Sequence, residues 1–198
     1  MNDFTPDEAT RAQKTCLELL RLTTVLDKTF STWVDDMKQA TITPVRSKAI
    51  PVANNGKAPF QSYWLHYNSD IDSFLWTMYW SLSLQLHQVI KQLQSRHARL
   101  VAELGDRAVP LPQDLANLGV DDDTLDQYVE NICASLSPQM NSFIAQESVP
   151  GLIGAQWYYA NRGDSKKAQS FVELLNTIAE KNKPNIVGVK SHFLLGSG

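Results

Sequence analysis

Asp122, Asp123 and Asp126 stand in the order Asp-Asp-x-x-Asp, which places carboxylates on adjacent helical turns where they could hold a magnesium ion and, through it, a diphosphate. No second acidic group downstream repeats the pattern. The same acids directly follow Gly119 and Asp121 at a helix start, where negative charge opposes the positive end of the helix dipole. Capping is therefore the expected role and metal binding the weak alternative, because so short a spacing recurs by chance.

The other residue types that do chemistry are scattered. His66, His87, His97 and His192 show neither His-x-x-x-His nor Glu-x-x-His spacing, and Cys16 and Cys133 lie in separate helical patterns, so no zinc set is expected. The two cysteines read as buried free thiols acting as small hydrophobes. His97, between Leu93 and Leu100 on an apolar helix face, reads as a core histidine with a satisfied hydrogen bond. Gly151-Leu-Ile-Gly154 has neither the length of a phosphate-binding loop nor its following Lys-Ser/Thr, and no Gly-x-Ser-x-Gly elbow exists. The sequence nominates no catalytic residue and no cofactor, which makes an enzyme the less favoured reading.

Aromatic and basic side chains carry the positive signals. Trp64, Tyr67, Trp76, Tyr79 and Trp80 cluster in sequence, and Trp157, Tyr158 and Tyr159 form a second group. Such rings serve a core, an interface or a ligand pocket, in that order of preference here; the pocket alternative would use Trp76, Tyr79, Trp80, Trp157, Tyr158 and Tyr159. Arg46, Lys48 and Lys57 lie in a stretch, 41–58, that has no acid, followed by Phe60 and Trp64. With Phe193 in the tail, these are the candidate partner-binding residues. Three bases are few for a phosphate backbone, so single-stranded nucleic acid is a weaker alternative than a protein.

Composition points the same way. The 18 Lys and Arg are outnumbered by 21 Asp and Glu, for a net charge of -3, which argues against a general polyanion binder. From 106 to 160 the chain holds eight acids and one base, Arg107. No apolar run reaches the ~18 residues of a membrane span, and the first residues lack the pattern of a signal peptide, so a cytoplasmic protein is expected.

The elements that must position these residues are helical. From 69 to 104 the apolar residues Ile71, Phe74, Leu75, Met78, Leu82, Leu86, Val89, Ile90, Leu93, Leu100, Val101 and Leu104 recur at threes and fours, which predicts one long helix capped by Ser69 and stopped at Gly105. Its first half carries a second stripe, Trp76, Trp80 and Leu84, and should be buried on most sides. Thr5-Pro6-Asp7-Glu8 opens an earlier helix with a capping box, whose apolar series Cys16, Leu19, Leu20, Thr23, Leu26, Phe30, Trp33, Val34 and Met37 runs to about Ala40. Between them lies a loop, 41–68, with Pro44, Pro51, Pro59 and a turn pair Asn55-Gly56 that suggests an irregular hairpin with strands near 50–53 and 58–63. Further helices are expected at 113–118, after Asp121, near 152–161, and after Asp164, with Pro138 kinking or restarting the pattern that opens after Asp121.

The expected fold is thus all-α: a single-domain bundle of five to seven helices over 1–184 around a long central helix, with an apolar C-terminal extension at 185–195 and Gly-Ser-Gly at 196–198 as an appended remnant. The expected function is a non-catalytic protein-protein interaction module, a helical subunit or adaptor, inhibitor-like or immunity-like. Its expected partner is another protein, with no membrane and homo-oligomers left open. A small-molecule-binding helical enzyme with an aromatic pocket and a helical nucleic-acid-binding subunit are the alternatives.

Overall fold

The computed structural model describes residues 5–40, 42–48, 63–136 and 148–181, with backbone alone at Ser47, Lys48 and Lys181. They form an all-α helical bundle with one small hairpin: α1 (Pro6–Gln39), β1 (Val45–Lys48), β2 (Tyr63–His66), α2 (Asp70–Leu104), α3 (Gln113–Ala116), α4 (Asp122–Ala134), α5 (Val149–Asn161) and α6 (Ser165–Lys181). The long central helix is present over 35 residues.

Helix ends follow local chemistry. The Thr5 hydroxyl accepts from Glu8 N–H while the Glu8 carboxylate accepts from Thr5 N–H at 2.9 Å and from the Thr5 hydroxyl at 2.7 Å, and the two bonds to the carboxylate hold it below its ordinary pKa. Ser69 Oγ accepts from Asp72 N–H at 3.1 Å, Asp121 Oδ1 from Thr124 N–H at 2.7 Å, and Asp164 Oδ1 from Lys167 N–H at 3.0 Å. At Gly163 the chain leaves α5 with φ +77, a left-handed step that a side chain would strain.

The chain gathers into two compact units, each described by itself. The first comprises the described residues of Met1–Thr41 and Leu82–Asp126. In it Ala9 packs with Leu100 and Leu104, the Cys16 thiol donates to Leu93 O at 3.1 Å, and Leu17 and Leu20 pack with Leu86 and Ile90, so α1 and this part of α2 run antiparallel. Leu115 of α3 closes the cluster. Buried Gln13 gives both ends of its amide to Val109: Nε2 donates to Val109 O at 3.0 Å and Oε1 accepts Val109 N–H at 3.0 Å. Gln94 Nε2 donates to Leu115 O at 3.0 Å and Leu118 O at 3.1 Å, satisfying carbonyls that the short α3 leaves open.

The second unit comprises the described residues of Ile42–Ser81 and Gln127–Gly198. Here α5 packs on α6, with buried Tyr159 stacked on buried Phe171. On this part of α2 the expected second stripe is the buried one, and the first stripe is less buried than expected. Trp76 and Trp80 are buried together with Ser73, Thr77 and Ser81, whereas Ile71 is exposed and Phe74, Leu75 and Met78 are only half-buried. Small hydroxyl side chains line this face because Gly151 of α5 crosses it so closely that a Cβ there would run into Ser81 Oγ. The Ser81 hydroxyl stays satisfied by donating to Thr77 O at 2.6 Å.

Candidate interaction surface

The hairpin pairs Val45 with His66 and Lys48 with Tyr63, so the strands sit further from Asn55-Gly56 than their composition suggests. Residues 49–62, and with them Lys57 and Phe60, lie outside the described residues, as does Phe193. The two ends of that loop are tied down within their unit. Trp76 Nε1–H donates to Ile42 O at 2.6 Å, Tyr63 OH donates to Asn131 Oδ1 at 2.5 Å, and the Tyr67 and Ser135 hydroxyls bond at 2.6 Å. Gln127 Nε2 donates to Tyr63 OH at 2.8 Å, and the Arg46 guanidinium stacks over the Tyr63 ring at 4.5 Å. Burial, then the Glu130 carboxylate, push the Tyr63 phenol above its ordinary pKa, and burial does the same for Tyr67. These phenols are neutral hydrogen-bonding anchors. Arg46 is engaged at the hairpin base, and Trp64 is half-buried on β2.

Five of the six pocket candidates fall into two ring clusters. Trp76 lies against Trp80 at 5.3 Å and edge-on to Tyr79 at 5.9 Å, and Tyr79 meets Tyr128 edge-on at 6.1 Å. Tyr159 stacks on Phe171 at 5.8 Å, with Lys167 over its outer side at 4.6 Å, while Arg162 donates to Tyr158 OH at 2.5 Å. Such ring-on-ring packing is how aromatic cores are held. Trp157 departs from its neighbours and is 61% exposed.

The acids at the α4 start have local partners. Asp121 caps the helix, and the Thr124 bonds hold its carboxyl below the ordinary range; Asp122 pairs with Lys91. Among the described residues no three His, Cys, Asp or Glu side chains converge as a metal would require, and Asp123 and Asp126 join no such group. Cys16 and Cys133 are buried free thiols whose pKa values burial raises, which suppresses thiolate chemistry.

His87 and His97 are both buried in the first unit. Burial lowers the pKa of each; Asp27, 3.6 Å from His87, pulls the other way while Lys91 adds to the depression, and the Val109 backbone partly offsets it at His97. The Gln13 amide nitrogen lies 3.5 Å from His97 Nε2. Because the unfolded chain takes these protons near pH 6.5 and the folded chain only at lower pH, stability is full above that value and falls as pH drops through it toward the folded pKa values. Melting temperature should therefore fall between about pH 7.5 and about 5.5. The His87→Asn, His97→Gln double variant should lose most of that slope, and an unchanged slope would refute the assignment.

The surface that the sequence reading passed over is on α1. Leu19, Leu22, Val25 and Leu26 are 42%, 61%, 61% and 47% exposed. At about 3.6 residues per turn they occupy roughly a third of the helix circumference, opposite buried Gln13 and Leu20. Thr15 and Thr29 extend the stripe at its two ends. No family model, curated protein or solved structure matches this chain. The stripe can thus be read only from its own chemistry. The apolar series of α1 includes Leu19 and Leu26, yet the buried residues of the helix are Ala9, Gln13, Cys16, Leu17, Leu20, Thr23, Val34 and Met37. The signal available in the sequence was the leftover pair Leu22 and Val25, apolar residues that no single helical face can hold together with Leu17 and Leu20.

Proposed function

We propose that this chain is a non-catalytic protein-binding module, a helical subunit or adaptor, that docks its partner on the outer face of α1. The observation that carries this is the contiguous exposure of Leu19, Leu22, Val25 and Leu26 on one side of a helix whose other side is already buried. Exposed apolar residues scattered singly are ordinary, but a contiguous stripe marks a surface that something covers. Fully burying a leucine is worth about 1.5–3 kcal/mol, so completing the burial of four such residues supplies several kcal/mol toward association.

The test separates docking from folding. Leu22→Glu with Leu26→Glu should leave the melting temperature nearly unchanged, since both residues are on the exposed face and such surface changes stay within about 0.5 kcal/mol each. Pull-down from the native host with mass spectrometry should then lose the captured protein, a fall in affinity of at least about tenfold as for a truncated hot spot. Equal capture by the double variant and the unaltered chain would remove the outer face of α1 from consideration.

A further inference from the structure

We propose that the partner element seated on the outer face of α1 is an acidic amphipathic helix; this rests on the protein-docking reading above and names the chemistry of its partner. Lys14, Arg21 and Lys28 follow one another at seven-residue intervals, so they form a row along the Val25 edge of the stripe, and Arg11 lies one turn before Lys14, in line with Leu22. All four side chains are exposed, and none joins an ion pair among the described residues. The opposite edge, at Ala12, Thr23 and Phe30, is uncharged. Over 11–28 the acids are exposed Glu18 and half-buried Asp27, the latter turned toward His87.

An apolar ridge along a helix, spaced at threes and fours, is complementary to the grooves of a second helix laid nearly parallel to it. A helix in that position runs one of its flanks along Lys14, Arg21 and Lys28. Acids repeated every seven residues on that flank would meet all three bases, while the leucines cover Leu19, Leu22 and Leu26. A second copy of this chain fits poorly. In an antiparallel pair related by a two-fold axis the base row meets the base row, and in a parallel pair it meets the uncharged edge. A lipid surface fits less well too, since a helix lying in the membrane interface carries its bases along both sides, and here Glu18 falls within the angular span of the stripe.

Two fluorescein-labelled helical peptides with identical heptad leucines, one with Glu and one with Lys at the flanking positions, test this on the full chain by fluorescence anisotropy. The Glu peptide should bind at least about tenfold more tightly than the Lys peptide, with the ratio shrinking at high salt. Lys14→Glu, Arg21→Glu, Lys28→Glu should reverse that preference, and Leu22→Glu, Leu26→Glu should abolish binding of both peptides. Equal affinity for the two peptides, lost with the leucines, would overturn the acidic partner and leave the docking surface standing. Failure of both peptides to bind overturns the acidic helix, and if host capture is also untouched by the leucine changes, the docking reading falls with it. Leucine-dependent self-association in sedimentation, or leucine-dependent retention on phosphatidylglycerol vesicles in place of the Glu peptide, would overturn the proposal in favour of a second copy or a membrane.

Discussion

Replacing Ile90 with aspartate is expected to leave the protein unfolded or molten at 25 °C. Ile90 is fully buried in the first unit, packed with Leu17, Leu20, Leu86 and Leu115 and bordered by Phe30, Leu93, Leu111 and Leu118. The turn at Gly119 also lies close to it, since a Cβ there would stand in ordinary van der Waals contact, 3.5 Å from Ile90 Cγ2. The substitution removes the transfer free energy of a buried isoleucine, about 1.5–3 kcal/mol, and substitutes a carboxyl group with no partner in that cluster, which costs several kcal/mol more whether it ionises or binds a proton. The sum is of the order of the whole 5–15 kcal/mol by which domains are stable. Circular dichroism should show no cooperative melt, with increased binding of a hydrophobic dye if a compact molten state survives. Ile90→Val, which removes one methylene, should cost only about 1 kcal/mol and retain the cooperative transition. Wild-type melting of the aspartate variant would mean that this face of α2 is not the core.

Why Ile90 was legible while other parts were not has a physical explanation. Around it the α2 pattern is amphipathic, and Leu86, Ile90, Leu100 and Leu104 are all buried while Gln92, Ser95, Arg96 and Arg99 face water. Where one side is wet, the apolar period names the buried side directly. The caps at Thr5, Ser69, Asp121 and Asp164 were equally legible, because they depend on residues three apart and on nothing tertiary. In the first half of α2 this logic fails. Apolar residues surround the helix, so the choice of buried face passes to volume, and Ser73, Thr77 and Ser81 go inside because another backbone lies against them. Gln13 is hidden for a related reason: its burial depends on Val109, 96 residues away, offering both a donor and an acceptor.

The candidate surfaces divide along the same line. Residue types drew attention to Arg46, Trp64 and the two aromatic groups, yet the rings are mostly packed on one another and Arg46 stacks on Tyr63. The outer stripe of α1 consists of ordinary leucines and a valine. Nothing about their type announces a surface. It becomes visible only once Gln13, Cys16, Leu17 and Leu20 have claimed the other side of the helix.

Gly151→Val is the second change expected to abolish folding, and Gly151→Ala measures how tight the crossing is. Gly151 is buried in α5, and any Cβ there overlaps Ser81 Oγ and approaches both Ser81 Cβ and Ile132 Cγ2 to 3.2 Å. Two effects of opposite sign compete in the alanine variant. Alanine gains about 1 kcal/mol of helix propensity over glycine, while overpacking a filled core costs typically 1–3 kcal/mol. The steric side should win. The Ser81 hydroxyl could swing away only by leaving its 2.6 Å bond to Thr77 O, and the 3.2 Å approaches to Ser81 Cβ and Ile132 Cγ2 would remain. Gly151→Ala should therefore lose about 1–2 kcal/mol in urea denaturation, and valine, with two further methyl groups and a poorer helix propensity, should not fold. Ser81→Gly provides the internal check. Alone it should cost about 1 kcal/mol as a glycine inside a helix, but combined with Gly151→Ala the two should be clearly less than additive, because the glycine removes both Ser81 atoms that the new methyl would meet. Strict additivity, or a Gly151→Ala variant more stable than the unaltered chain, would show that α5 crosses Ser81 with room to spare.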